Sequence, residues 1–138
     1  MGGGPSEFFR SMTPARDGLP EEGRSARKLG VRVPDDIEPD GNGNVSGGTG
    51  GLSVAPASMW NLPHHRRPRG MKRGSTGKDT DRVYSLGGAA LDGSVLVIRP
   101  DPKAPALHAF VEPCEMMSLA KYESGLSATR PHWRQAWQ

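Results

Sequence analysis

The stretch SVLVIRPDPKAPALHAFVEP, residues 94–113, predicts two β-strands joined by a loop. Residues 95–98 form a continuous apolar run rich in β-branched side chains, which is typical of a strand in the middle of a sheet. Residues 106–113 form the next strand, and the DPKAP sequence between them fits a wide hairpin loop. We therefore expect a hairpin here, with residues 94–100 as a central strand.

Further strands are predicted on the N-terminal side of this hairpin. Residues 81–86, DRVYSL, precede GGAALDG, whose Asp-Gly pair is a hairpin-type turn signal. The segments EFFRSM, LGVRVP and LSVAP, at residues 7–12, 29–34 and 52–56, also read as short strands. Residues 56–80 are polar and basic, and we expect a long loop there that is tethered at Trp60.

A helix is predicted on the C-terminal side of the hairpin. In MMSLAKYESGLSATR, residues 116–130, the apolar residues recur at helical spacing, and Pro131 ends the pattern. The following HWRQAW is compatible with one more helical turn. These patterns predict an α+β fold: mostly antiparallel β-structure in two small sheets, with a C-terminal helix and long Gly/Pro-rich loops.

The composition bounds the size of the core and the nature of the partners. The chain has 138 residues, 34% of them hydrophobic, with 19 glycines, 13 prolines and a mean hydropathy of -0.60. These values favour one domain with a small core, which we place at residues 7–138 after a flexible tail at residues 1–6. The net charge of +3 favours an anionic partner, such as nucleic acid, a phosphate-bearing cofactor or an acidic protein.

Cysteine usage and targeting signals bear on the compartment. Cys114 is the one cysteine, so an intramolecular disulfide is excluded. The N-terminal MGGGPSEFFRSM lacks the features of a signal peptide, and no run approaches the ~18 apolar residues of a membrane span. We expect a cytoplasmic protein without a membrane partner, which a dedicated secretion machine would have to deliver to the cytoplasm of a target cell.

Two candidate motifs have simpler explanations. RGSTGKDT, residues 73–80, fails as a phosphate-binding P-loop because position 72 is lysine and Asp79 follows Lys78. HHRRPRGMKR, residues 64–73, is a candidate nucleic-acid patch. A solvated basic loop is favoured there because no aromatic side chains interleave the charges.

The histidines and Cys114 are the candidate residues for a metal site or a catalytic nucleophile. The chain has no Cys-x-x-Cys pair, and the adjacent His64 and His65 point in different directions, so no metal site is predicted. A catalytic pair would need Cys114 beside His108 or His132 in space. A buried small residue is the simpler interpretation of Cys114.

The glycine-rich stretch GNGNVSGGTGGLSV, residues 41–54, could cradle a phosphate, act as a linker or allow a close backbone approach. No lysine follows it, and it leads into a strand instead of a helix, which disfavours a phosphate cradle. A close approach of the backbone to a ligand is the interpretation that remains, with Ser53 at the start of a strand.

Three polar residues lie on otherwise apolar predicted strands: Arg10, Ser53 and Glu112. Such residues cost free energy unless a ligand or partner group satisfies them. An arginine on the first strand, a serine after a glycine-rich approach and an acid on a late strand follow the order found in ADP-ribosyltransferases, which bind NAD in a cleft between two small sheets.

The similarity extends over residues 7–137. The chain resembles the ADP-ribosyltransferase-like toxin domain of a small family of type VI secretion cytotoxic effectors. The motifs that carry the resemblance are Phe9-Arg10, Asp36-Ile37, Gly50 to Val54, His108 to Pro113, Met117, Leu126, and Trp133 or Trp137. Two positions depart from the family pattern: Leu52 stands where it has threonine, and Glu112 stands where it has an apolar residue.

The resemblance implies NAD as substrate and a role for each site residue. Arg10 would contact a phosphate or ribose hydroxyl, and Ser53 the ribose on the nicotinamide side. Glu112 would accept a hydrogen bond from the 2′-hydroxyl of that ribose and stabilise an oxocarbenium-like transition state. His108 would be a second polar contact, and Gly51 would let the backbone lie against the nicotinamide.

The resemblance also implies partners, and two other functions stay open. An ADP-ribosyltransferase toxin needs a macromolecular acceptor unless it only consumes NAD, and an effector has an immunity or carrier protein. The first alternative is a non-catalytic partner-binding protein on the same fold. The second is a nucleic-acid-binding protein that uses residues 64–73.

Overall fold

The computed structural model describes residues 5–71 and 74–137, and within them the chain forms eight β-strands and one α-helix. Residues 1–4 of the predicted tail, positions 72 and 73 of the basic stretch, and residue 138 lie outside the described residues. The elements are β1 (Glu7–Met12), β2 (Asn44–Val45), β3 (Leu52–Pro56), β4 (Arg82–Gly87), β5 (Leu96–Pro100), β6 (Ala109–Pro113), β7 (Met117–Ser118), α1 (Leu119–Ala128) and β8 (Arg134–Trp137). The predicted α+β class, mostly antiparallel with one C-terminal helix, is confirmed.

One six-stranded antiparallel sheet, in the order β5-β6-β3-β1-β4-β8, organises the fold, and β2 and β7 pair separately. Strand β3 is shared between two halves of this sheet. Its residues 52–54 pair with β6, whereas Ala55 and Pro56 pair with β1. Beyond Phe9, β1 leaves β3 and stays paired with β4 as far as Met12. The sheet therefore separates into β3-β6-β5 and β1-β4-β8.

The main core lies between one face of the sheet and helix α1. Tyr122 and Leu126 of the helix are buried in it, together with Phe8 and Met12 of β1. Ser118 caps the helix by accepting a hydrogen bond from the backbone N–H of Lys121 at 3.1 Å. A smaller cluster packs on the opposite face and includes Phe9, Ala55, Leu62, Met71 and Val83.

Tyr122 joins the helix to the sheet. Its hydroxyl donates to the carbonyl of Val111 on β6 and accepts from the backbone N–H of Leu52 on β3. Burial raises the pKa of this hydroxyl. The bond pair fixes the start of β3, and with it the position of Ser53.

The predicted strand at residues 29–34 is absent: Leu29 makes one isolated bridge with Glu22, and a turn follows. Leu29 and Val31 are buried in the main core, as their alternation predicted. The backbone carbonyls of Lys28 and Gly30 accept hydrogen bonds from Arg10 instead of from a neighbouring strand. The Arg32 carbonyl accepts from the backbone N–H groups of Asp36 and Ile37 in the turn, so neither it nor the Gly30 carbonyl is available to a ladder.

Strand β5 is an edge strand, so its predicted central position is wrong. Leu96 is buried, but Val97 is 43% exposed. The β-branched run therefore reflects strand propensity and not burial on both faces. The predicted last helical turn is wrong as well, because β8 pairs with β4 after a short 3₁₀ turn at Arg130–His132. Neither α1 nor the shorter helical turns described here could span a membrane.

Candidate active-site cleft

A cleft of about 440 Å³ lies where the two halves of the six-stranded sheet separate. Arg10 and Ser11 of β1 form one side, and Ser53 of β3 forms the other. Loops complete the lining with Ala26, Arg32, Asp36, Asn61, Leu62, Pro63, His65, Arg66, Leu107 and His108. The volume is in the range of small-molecule sites, and the cleft is where the predicted Arg10, Ser53 and His108 come together.

Arg10 is buried and held by the backbone. Its guanidinium donates to the carbonyl of Ser53 at 2.9 Å and to that of Lys28 at 2.8 Å. Longer bonds of 3.2 to 3.5 Å reach the carbonyls of Ser25, Ala26 and Gly30. Burial lowers the pKa of Arg10 to about 10, which leaves it charged at neutral pH. Arg10 therefore fixes the floor of the cleft and adds positive charge to it.

The Arg66 side chain lines the cleft, and its guanidinium makes no hydrogen bond among residues 5–71 and 74–137. Burial and the neighbouring Arg32 lower its pKa. Arg32 itself donates to both carboxylate oxygens of Asp36 at 2.8 and 3.1 Å. Three arginines thus face a single carboxylate in the cleft lining, and that carboxylate is already paired. This balance favours an anionic ligand.

Two serines that line the cleft have hydroxyl groups with no hydrogen-bond partner among the described residues. The side chain of Ser11 is almost fully buried, and its Oγ makes no hydrogen bond within the described part of the chain. The Ser53 hydroxyl, which is half-buried, also has no partner there, although the Ser53 carbonyl accepts from Arg10. Buried hydroxyl groups are nearly always satisfied, so the Ser11 hydroxyl is an exception, whereas the half-buried Ser53 hydroxyl is open to a polar group of a ligand.

His108 lines the cleft beside Leu107 and forms a close pair with a carboxylate. Its Nδ1 lies 2.8 Å from Oδ2 of Asp101, and this hydrogen bond holds the pKa of Asp101 below its usual value. The imidazole also contacts the edge of Phe110, with ring centroids 4.6 Å apart. His108 is therefore fixed in orientation on both sides.

Glu112 does not line the cleft, although it lies on the same sheet face. Ser53 is opposite Phe110 in the ladder, and Glu112 follows Phe110 by two residues, or about 7 Å along β6. Its Oε2 accepts from Arg99 at 2.8 Å and from the backbone N–H of Gly48 at 3.1 Å. Its Oε1 has no hydrogen-bond partner among the described residues. Glu112 is thus a buried, paired carboxylate next to the cleft.

Gly51 also lies outside the cleft lining. A Cβ at this position would lie 2.5 Å from the carbonyl oxygen of Val111 and 3.0 Å from Oη of Tyr122. The close approach predicted from the glycine-rich stretch is therefore an approach of β3 to β6 and α1. This packing accounts for the glycine without a nicotinamide.

Sequence reasoning missed Ser11, Arg66, Arg99 and Asp101 as members of the site or its surroundings. Arg66 was visible only as one charge of the basic stretch at residues 64–73. That stretch is not uniformly solvated, because Arg67 is buried, lies 5.6 Å from the Trp60 ring and bonds to His64. The other three positions carry no local signal, since Arg99 and Asp101 gain their partners, and Ser11 its burial, only in the folded chain.

Cys114 does not line the cleft. Cys114 is exposed, so its interpretation as a buried small residue is wrong; it lies just after β6, whose last residue, Pro113, is the one that is buried. Within residues 5–71 and 74–137, no three His, Cys, Asp or Glu side chains cluster closely enough to hold a metal ion.

Comparison of the chain with models of known families, with curated proteins and with solved structures gave no significant match.

Proposed function

We propose that the protein binds NAD in the cleft between the two sheet halves and cleaves its bond to nicotinamide, as an ADP-ribosyltransferase or NAD-consuming cytotoxic domain. One observation carries the proposal. Arg10 and Ser53, which are far apart in sequence, meet where β1 and β3 separate, in a cleft that presents cations and the half-buried Ser53 hydroxyl.

The lining fits the polar groups of NAD. Its pyrophosphate would pair with Arg66, with the charge of Arg10 behind it, because a guanidinium matches the geometry of phosphate oxygens. A ribose hydroxyl would bond to Ser53, whose half-buried side chain lines the cleft. The nicotinamide end would extend across the half-buried Phe110 towards Glu112.

In this proposal Glu112, which lies next to the cleft, would assist the departure of nicotinamide. As the bond between C1′ of the ribose and the ring nitrogen breaks, the electron pair leaves with nicotinamide and positive charge develops on the ribose. A carboxylate that accepts a hydrogen bond from the 2′-hydroxyl stabilises this charge. Oε1 is the available atom, because Arg99 and Gly48 bond to Oε2. The acceptor then bonds to C1′ and loses its proton.

The Arg66→Gln variant is expected to raise the Kd for NAD about 10- to 100-fold, since hydrogen bonds to charged groups contribute about 1.5–3 kcal/mol. Ser53→Ala is expected to raise the Kd for NAD about 3- to 10-fold, because this variant loses a hydrogen bond between uncharged groups. Isothermal titration of NAD into each variant measures both effects. Arg69→Gln is the matched control, because Arg69 is exposed in the same basic stretch and does not line the cleft. Equal affinities in Arg66→Gln and Arg69→Gln would place NAD elsewhere.

The Glu112→Gln variant is expected to bind NAD normally but to release nicotinamide about 100-fold more slowly, because the lost charge acts in the transition state. Chromatographic assay of nicotinamide, with Glu115→Gln as an exposed control, measures the change. A thermal melt checks that loss of the Arg99 pair has not unfolded the chain. Full activity in Glu112→Gln would remove this residue from the mechanism, and wild-type protein that binds NAD without consuming it would favour the non-catalytic alternative.

A further inference from the structure

We infer that His108 and Asp101 form a general-base pair that deprotonates the hydroxyl-bearing nucleophile, with water as the simplest case. The inference rests on the proposed function and gives His108 a role different from that of an NAD contact. It starts from the position of the imidazole on the cleft wall and of the carboxylate behind it.

The geometry determines which nitrogen of His108 is basic. Asp101 Oδ2 lies 2.8 Å from Nδ1, so an ionised Asp101 accepts a hydrogen bond from the Nδ1–H group of a neutral His108. Nε2 then carries a lone pair, and it has no hydrogen-bond partner among the described residues. A carboxylate behind one nitrogen and a free lone pair on the other is the arrangement in which histidine takes a proton from a nucleophile.

Both members of the pair are held in place. Asp101 Oδ1 accepts from the backbone N–H of Lys103 at 3.0 Å, and the backbone N–H of Asp101 donates to the carbonyl of His108 at 2.9 Å. The loop between β5 and β6 is thereby closed on itself. The Phe110 ring limits rotation of the imidazole from the other side.

A surface ion pair is the simplest alternative interpretation. The two side chains are 33% and 17% exposed, and ion pairs with that much solvent contact stabilise a fold little. A contribution to stability therefore explains poorly why Asp101 lies here. Orientation of the His108 imidazole in the cleft lining explains its position directly. The two interpretations differ in what Asp101→Asn does to turnover.

The reaction step balances without a further reactant. Nε2 of His108 takes a proton from water as the oxygen bonds to C1′ of the ribose. The bond from C1′ to nicotinamide breaks, and its electron pair stays on the nicotinamide nitrogen. Asp101 stabilises the imidazolium until its proton passes to solvent, so NAD and water give ADP-ribose, nicotinamide and a proton. A hydroxyl group of another molecule would replace water in transfer.

The test compares His108→Gln and Asp101→Asn with wild type in NAD hydrolysis, with NAD as the probe. We expect kcat to fall about 100-fold or more in His108→Gln, the size of a general-base contribution, and the Kd for NAD to stay within about threefold. His132→Gln is the matched control, because His132 is exposed and does not line the cleft. In ¹⁵N NMR spectra, wild-type His108 should be protonated at Nδ1, and this preference should be lost in Asp101→Asn.

The outcomes separate this inference from the proposed function. If the wild type consumes NAD but kcat in His108→Gln is unchanged, the general base is overturned and the proposed function stands. A rise in KM alone would also overturn it, because it would make His108 a binding residue. An Nε2-protonated tautomer in the wild type would overturn it independently of turnover. If the wild type does not consume NAD, both proposals fall together.

Discussion

An Arg10→Ala variant is expected to lose about 4 kcal/mol of unfolding free energy, as when one partner of a buried charged network is removed. The side chain lies between Phe8 and Met12 on the core side of β1, and five backbone carbonyls accept its hydrogen bonds. Alanine would leave these carbonyls buried without a donor. The segment at residues 25–30 and the start of β3 would lose their common anchor.

Urea denaturation followed by circular dichroism measures this loss. Arg134→Ala is the matched control, because Arg134 lies on β8, is exposed and makes no side-chain hydrogen bond among the described residues. We expect its unfolding free energy to stay within about 0.5 kcal/mol of wild type. Arg10→Lys should fall in between, because an ammonium group keeps the charge but cannot reach carbonyls on both sides of the cleft. A loss below about 1 kcal/mol in Arg10→Ala would contradict the anchoring role.

This result bears on how Arg10 can be studied. A buried residue that holds the cleft together cannot report ligand contact by simple truncation, since loss of NAD binding would accompany loss of the fold. Arg66 and Ser53 are cleaner positions, because neither side chain makes a hydrogen bond within the described residues. The sequence pattern located Arg10 correctly as a polar residue within an apolar strand, but it could not distinguish a ligand contact from a backbone anchor.

Most of the strands could be predicted from the sequence because their apolar residues alternate or run together over a short length. Strands β1, β3, β4 and β6 follow such patterns within a few residues. The segment at residues 29–34 has the same alternation, yet its Gly30 carbonyl accepts from Arg10, which lies 20 positions away in sequence, and its Arg32 carbonyl accepts from a local turn. The pairing of β8 with β4 likewise depends on the tertiary fold, and the polar sequence of residues 134–137 does not predict it.

The site was predictable in part for the same reason. Arg10 and Ser53 are neighbours because β1 and β3 pair at one end. His108, which precedes β6, is brought to the same site because β6 pairs with β3. Glu112 lies beyond the cleft lining because each strand residue advances about 3.3 Å, and four residues separate it from His108. Its pairing with Arg99 depends on the register of β5, which sequence patterns do not provide.

Gly50→Ala is expected to destabilise the fold by about 3 kcal/mol, through steric overlap and an unfavourable backbone conformation. Its φ is +120°, and a Cβ there would lie 2.1 Å from the carbonyl oxygen of Asp36. That carbonyl cannot move easily, because it accepts a hydrogen bond from the backbone N–H of Gly51 at 2.9 Å. Displacing Asp36 would also disturb its pair with Arg32 in the cleft, so NAD affinity should fall with stability.

Gly41→Ala provides the comparison within the same glycine-rich stretch. A Cβ at Gly41 meets nothing within 4 Å, and this residue is exposed. We expect its unfolding free energy and its NAD affinity to match wild type, with any change in stability within about 0.5 kcal/mol. Thermal and urea unfolding of both variants measure the difference. Similar stability of Gly50→Ala and Gly41→Ala would mean that the stretch is a slack linker, whereas a large difference identifies Gly50 as the point where the chain passes close against Asp36 before it enters β3.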